Sequence, residues 1–118
     1  MDDAAAAEQY GDLTTVGRTS GQARTVEMWF AAEGRTVYLL AGGGEETHWV
    51  RNLVANPAVT IRVDDRTYAG RGRLITDADE DLRARDALVT KYRLTYPGDL
   101  TDWRDTAVPV AIDLETDA

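Results

Sequence analysis

The chain has 118 residues, 43% of them hydrophobic, enough for one domain with a modest core. Its formal net charge is −8, which argues against nucleic acid and against electrostatic docking on an anionic membrane. With no cysteine and a single histidine, His48, it excludes disulfides, thiolate chemistry, Cys-ligated metals and a multi-His metal site within one chain.

Met1 to Gln9 carries acids and alanines rather than a basic and then apolar run, so residues 1–10 are expected to be a flexible or weakly helical lead-in, with no signal peptide. No apolar stretch approaches the ~20 residues of a spanning helix, and a cytoplasmic protein without stable membrane insertion is expected. Asp12 to Val16 reads as a short strand that enters a turn at Gly17 to Gln22. Arg24 to Ala32 reads as one strand, with Val26, Met28 and Phe30 on one face and Thr25, Glu27 and Trp29 on the other. A hairpin turn at Glu33-Gly34-Arg35 leads to Thr36 to Ala41, apolar on both faces and so covered on both.

Gly42-Gly43-Gly44 breaks that strand, Thr47 can cap a helix over His48 to Ala55, and Asn56-Pro57 stops it. Ala58 to Val63 alternates, Asp64-Asp65 turns, and Arg66 to Ile75 returns with Gly70 and Gly72 inside it, where a bulge or sharp bend is expected. Asp77 and Glu80 form an acidic capping box for a helix to about Arg93, with Leu82, Leu88, Val89 and Tyr92 as its stripe. Tyr96-Pro97-Gly98 ends this region, a loop carries Trp103, and Ala107 to Leu114 is the last strand, with Pro109 marking an edge or a strand start. Six antiparallel strands and two helices predict a mainly β (α+β) fold, a small barrel with helices filling its gaps, over residues 1–118.

The chemistry concentrates at Gly17-Arg18-Thr19-Ser20-Gly21-Gln22-Ala23-Arg24. Gly17 and Gly21 can take positive φ and bring N–H groups to a ligand, Thr19 and Ser20 add hydroxyl donors, and Arg18 and Arg24 add forked cationic donors. Such a turn can hold an anion, or it can be a plain β-turn with two exposed arginines. The spacing fits neither a Walker A loop nor a Rossmann fingerprint. Gly42 and Gly43 can offer N–H groups or simply turn the chain. Trp49 can stack on a ligand or anchor its helix. His48 and Tyr96 are candidate proton donors, or an incidental helix-start residue and a packed ring. No general-base dyad or acidic metal site is visible.

Three stretches in order carry a resemblance over residues 12–114. Leu13-Thr14-Thr15-Val16-Gly17-Arg18-Thr19-Ser20-Gly21-Gln22-Ala23-Arg24 resembles a TTxGRxSGxxR signature, and Trp49 to Pro57 resembles a WxxNLxANP helix. Asp102-Trp103-Arg104 with Val108-Pro109-Val110 resembles a DW…IPV closing strand. They are similar to the flavin/deazaflavin oxidoreductases, in particular the deazaflavin-dependent nitroreductase and quinone reductase branch. The resemblance implies a split β-barrel related to the pyridoxamine-phosphate oxidase fold. It implies coenzyme F-420, an 8-hydroxy-5-deazaflavin, as hydride donor to a quinone, nitroaromatic or activated alkene, and a homodimer as the default assembly. FMN is the alternative cofactor, and a non-enzymatic split barrel that holds a ligand is the alternative class.

The resemblance places the cofactor phosphate near the Arg18, Thr19, Ser20, Gly21 and Arg24 loop. It places the ring beside Glu27, Met28, Trp29, Gly42, Gly43, His48 and Trp49. Thr19 stands where a basic residue is frequent in the family, Glu27 where a proline is frequent, and Ala41 to Glu46 is shorter and more acidic than the usual loop.

Overall fold

The structure is a computed structural model that describes residues 1–115; residues 116–118, the end of the expected 1–118 domain, lie outside the described residues. Among the described residues seven strands form one curled antiparallel sheet. They are Gly11–Val16 (β1), Ala23–Met28 (β2), Ala31–Glu33 (β3), Thr36–Ala41 (β4), Ala58–Val63 (β5), Arg66–Leu74 (β6) and Val108–Leu114 (β7). Their order is β2-β1-β5-β6-β7-β4-β3, so the two edge strands are consecutive in the chain. The barrel is therefore closed by the covalent chain between β2 and β3 rather than by a ladder, the split-barrel arrangement the resemblance implies.

This closure corrects the reading of Arg24 to Ala32 as a single strand. The segment pairs with β1 at one edge of the sheet and with β4 at the other, and it can do both only by breaking at Trp29-Phe30. Among the described residues four helices accompany the sheet: Asp3–Ala6 (α1), His48–Ala55 (α2), Ala78–Tyr92 (α3) and Thr101–Thr106 (α4). Two of them fall where no full helix was expected. Within the expected lead-in, the Asp2 carboxylate accepts from the Ala5 N–H at 2.8 Å and Ala5 is buried. The expected loop around Trp103 is α4, whose Trp103 packs against the second core described below.

The core has two compartments on the two faces of the sheet. Inside the barrel, Leu13, Phe30, Val37, Leu39, Ile61, Val110 and Ile112 meet Trp49, Val50 and Leu53 of α2. Outside it, Tyr38 and Leu40 of β4 and Ala111 of β7 are covered by Ala84, Leu88 and Tyr92 of α3. That double cover is what the uninterrupted apolar run of β4 requires. Ala84, Leu88 and Tyr92 recur every four residues and select one face, which leaves Leu82, expected in the stripe, 57% exposed. Arg73 ties α3 to the sheet: its guanidinium donates to both oxygens of Glu80, at 2.7 and 2.9 Å, and to both of Asp113, at 2.8 and 3.2 Å. The bonds to Arg73 hold the Glu80 carboxyl below its usual range against its own desolvation.

The glycines of β6 make no bulge: the β7 ladder runs unbroken through both and the β5 ladder through Gly70, and the Gly72 N–H donates to the Pro57 carbonyl at 2.8 Å just beyond it. They are points of close approach instead. A Cβ at Gly72 would lie 2.3 Å from Leu53 Cγ, and one at Gly70 would lie 2.7 Å from the Asp113 carbonyl oxygen. Gly72 thus lets α2 settle into the barrel mouth and bury Leu53, which is worth ~1.5–3 kcal/mol. Pro109 lies in the interior strand β7, as its second residue, and the β6 ladder begins only at Val110. Thr47 occupies the cap position of α2 without capping it; its hydroxyl donates to the Gly44 carbonyl at 2.8 Å and closes the glycine turn.

Two outcomes follow from this packing. Gly72→Ala is expected to cost about 1–3 kcal/mol by overpacking, and Gly72→Ala with Leu53→Ala less than the sum of the single changes, by urea titration. Half-burial pushes the Lys91 amine down to about 8 from 10.5. Between those values the unfolded chain holds a proton that the folded chain has released, so stability rises with pH from about 8. Tyr92, pushed up by burial to about 12 from 10.0, reverses the trend above about pH 10. Lys91→Met is expected to abolish the rise between pH 8 and 10 in thermal melts.

Candidate functional site

The loop between β1 and β2 is tight and self-bonded. The Gly17 N–H donates to the Gln22 carbonyl at 2.8 Å, the Gly21 N–H to the Gly17 carbonyl at 2.9 Å, and the Gln22 N–H to Ser20 Oγ at 3.2 Å. Gly21 takes φ +70°, as the turn requires, whereas Gly17 does not have positive φ. Gly17 serves by lacking a side chain, since a Cβ there would sit 2.4 Å from Ser20 Oγ. None of these loop bonds uses the N–H of Thr19 or Ser20.

The buried Asn52 side chain of α2 fixes the loop to the barrel. Its Oδ1 accepts from the Arg18 backbone N–H at 3.2 Å and from the Arg18 guanidinium at 2.8 Å, and its Nδ2 donates to Thr15 Oγ1 at 3.4 Å. Asn52 therefore bonds across to the loop rather than capping within its own helix. The other arm of the guanidinium donates to His48 Nδ1 at 3.2 Å. Because arginine only donates, Nδ1 is the acceptor, and the neutral ring carries its proton on Nε2. His48 and Asn52 are four residues apart on α2 and so share a face. Arg24 is held loosely, by Gln22 Oε1 at 3.4 Å.

A pocket of about 510 Å³ opens between the loop, the inner face of β2 and the start of α2. Arg18, Thr19, Ser20, Arg24, His48 and Trp49 line it, so six of the expected site residues come together. Thr15, Thr25, Val26 and Asn52 join them. Trp49 is both wall and anchor: it lines the pocket and is buried in the inner core. Two arginines, hydroxyls and no carboxylate give this pocket of ligand size a cationic lining.

A second pocket, of about 390 Å³, lies past the end of β2. Met28, Trp29 and Tyr96 line it, with Leu40, Asp99, Leu100 and Trp103. Trp29 stacks on Tyr92 with centroids 4.2 Å apart, and its ring meets Tyr96 and Trp103 edge-on at 5.4 and 5.5 Å. The two proton-donor candidates thus fall in different pockets, His48 in the first and Tyr96 in the second.

Four expected residues line neither pocket. Gly21 turns its loop, with φ +70° and its N–H on the Gly17 carbonyl. Glu27 pairs in register with Asp12, and strand alternation puts both on the outer face. Gly42 sits beside Trp103, and Gly43 packs against the Thr47 hydroxyl. Asn52 could have been found in the sequence from its helical spacing to His48. Thr15 stood in the first motif without being singled out; Leu40 and Asp99 carried no such signal, because only sheet closure brings Leu40 to its pocket and only the formation of α4 brings Asp99 there.

A family model for the F420H(2)-dependent quinone reductases matches residues 9–115. Among solved structures, one of an F420-H2 dependent reductase is 23% identical, with 92% of this chain and 95% of that one covered at a TM-score of 0.70. Another, an F420 reductase, is 25% identical, with 97% and 93% covered at a TM-score of 0.65. A Listeria innocua protein assigned as a pyridoxamine 5'-phosphate oxidase is 21% identical, with 92% and 86% covered at 0.68, which shares the split-barrel fold. The chain belongs to the F420H(2)-dependent quinone reductase family and is an F-420-dependent reductase.

Proposed function

We propose that the Arg18 pocket holds the phosphate end of reduced coenzyme F-420, that the ring lies along the inner face of β2, and that the Trp29 pocket admits a small hydrophobic acceptor, a quinone first. The observation that carries this reading is the Asn52-Arg18-His48 cluster, a cation fixed at the mouth of a pocket that contains no carboxylate. A phosphodiester fits that donor set of arginines, hydroxyls and the Thr19 and Ser20 N–H groups. When bound, the deazaflavin supplies the hydride; the protein supplies position and electrostatics.

Arg18 and Ser20 bind the phosphate, with Arg24 as a looser second cation. Trp49 and Val26 supply apolar contact to the ring. Asn52 positions Arg18 and does not itself touch the cofactor. His48 buttresses the Arg18 guanidinium on its other side. Tyr96, at the acceptor pocket, is the proton donor for the reduced acceptor. FMN, which carries a phosphate of its own, is the second cofactor to try against the same loop.

The reading extends to nitroaromatics and activated alkenes as further acceptors, to the chain acting as one domain, and to a homodimeric protein of the cytoplasm. Dimerisation is supported by the exposed edge strand β2 and by a structural neighbour described as a domain-swapped dimer. Among the described residues no helix is long and apolar enough to cross a membrane. Sedimentation of the purified protein tests the dimer.

Fluorescence titration with F-420 tests the cofactor site. Arg18→Ala is expected to weaken binding at least tenfold, the loss of about one charge-assisted hydrogen bond. Asn52→Ala should follow it in affinity and also lower stability by about 1–3 kcal/mol, because Arg18 and Thr15 lose their buried partner. Arg24→Ala should cost less than either. Unchanged affinity in Arg18→Ala would overturn the anion-site assignment.

Turnover of reduced F-420 with menadione tests the acceptor side. Tyr96→Phe is expected to lower kcat by about 10²-fold, the lower end of general-acid effects, with F-420 affinity unchanged. A His48→Gln variant should change F-420 affinity instead, through Arg18.

A further inference from the structure

We infer that His48 is itself a ligand-binding residue of the Arg18 pocket, and that an anion entering there is bound together with one proton, which His48 takes up. The inference deepens the reading above. It rests on the assignment of an anion to this pocket and names a second group that holds it.

Arg18 spends one arm of its guanidinium on Asn52 Oδ1 at 2.8 Å and the other on His48 Nδ1 at 3.2 Å. The two bonds are not equally secure. Asn52 is buried and also holds Thr15, whereas His48 is exposed at the head of α2. Nδ1 is a neutral acceptor, and a guanidinium bonds an anionic oxygen more strongly than a neutral one. An anion therefore takes over the arm that His48 holds. The Nδ1 lone pair is then released beside a negative charge. A proton there turns the ring into a cation with a donor on each nitrogen. The exchange consumes one proton from solvent; no bond of the ligand breaks and nothing is oxidised or reduced.

The surrounding charges set the direction of the coupling. Arg18 faces His48 from the loop and Arg24 shares the pocket from β2, and no carboxylate lines it. On the near side, Glu45 and Glu46 precede His48 in the exposed loop, and the exposed Arg51 follows it by three residues on α2. In the empty pocket, an imidazolium at this position loses the Arg18 bond and meets a like charge. With an anion between them, both cations meet an opposite one. The filled site therefore carries the proton more often than the empty site. Affinity for an anion then rises as pH falls through the ordinary range of histidine, about 6.5. The chain has no other histidine to share that window.

A histidine that only braces Arg18 makes no such coupling. His48→Gln separates the two roles, since the amide oxygen still accepts from the guanidinium while the titration is gone. The probe is sulfate, a dianion throughout the range used. It is titrated into the full chain without cofactor, at ionic strength fixed with sodium chloride, and followed by the fluorescence of Trp49 at the pocket wall. Sulfate is expected to bind at least about fivefold more tightly at about pH 5.5 than at about pH 7.5, and His48→Gln should bring that ratio to within about twofold.

A second measurement needs no variant. Calorimetry of the native chain at about pH 6.5, in two buffers of different ionisation heat, should show uptake of at least about 0.2 proton per sulfate bound. A pH ratio that His48→Gln leaves unchanged, or no proton uptake, would overturn the inference. Arg18→Ala keeps the outcomes apart. If it leaves sulfate affinity at neutral pH unchanged, the anion site falls and this inference with it. If it weakens sulfate as expected while the ratio persists in His48→Gln, only the role of His48 falls.

Discussion

The fold depends on one phenol. At Trp29-Phe30 the chain leaves one edge of the sheet for the other, and the Phe30 backbone has no strand to pair with. Buried N–H and C=O groups without partners cost about 1–3 kcal/mol each. The Tyr92 hydroxyl meets the deficit: it accepts from the Phe30 N–H at 2.8 Å and lies 3.0 Å from the Phe30 carbonyl and 2.8 Å from that of Gln9. Lys91 adds a bond to the same Phe30 carbonyl at 2.8 Å, with its amine over the Phe30 ring at 3.7 Å. Burial pushes the Tyr92 hydroxyl up to about 12, so it remains a donor as well as an acceptor. The barrel is thus sealed by a helix outside it.

The same contacts shape the second pocket. The Tyr92 ring is the platform on which Trp29 stacks, and Trp29 is the wall that meets Tyr96 and Trp103. Arg73 lies further back in this chain of dependence. By holding Glu80 and Asp113 together it sets the start of α3, and α3 carries Lys91 and Tyr92 to the seam. Tyr38 reinforces the clamp with a hydroxyl bond to Glu80 at 3.2 Å. Fold closure and site geometry are in this sense one problem, solved by the last two turns of a single helix.

Local patterns in the sequence were faithful where the structure is locally determined. The bounds of α2 and β5 coincide with the apolar periodicity, because His48 to Ala55 and Ala58 to Val63 are each punctuated by turn residues. The division of Arg24 to Ala32 was hidden, because its alternation is continuous and only the sheet order breaks it. The glycines of β6 misled for a related reason: a residue that makes room for Leu53 looks in sequence like one that makes a bulge. At the site, the loop arginines and the head of α2 were legible as motifs. Asp99 was not, because it lines a pocket only after α4 forms where a loop was expected.

The outward appearance of β2 explains why a site exists here at all. Its inner face presents Arg24, Val26 and Met28 opposite Thr15, Leu13 and Gly11 of β1, positions that a complete barrel would bury. Val26 is instead 40% exposed, and the strand ends its ladder at an edge. An open edge with an exposed apolar face is a liability for a small protein, inviting strand addition and aggregation. This chain keeps that face open along the run that joins the cationic pocket to the aromatic one. The proposed reading uses this uncovered surface for a flat, partly apolar ring, with the phosphate at the cationic end and the acceptor at the aromatic end. The stability forgone at β2 is recovered at the seam by Tyr92 and Lys91, which allows the strand to remain uncovered without the barrel coming apart.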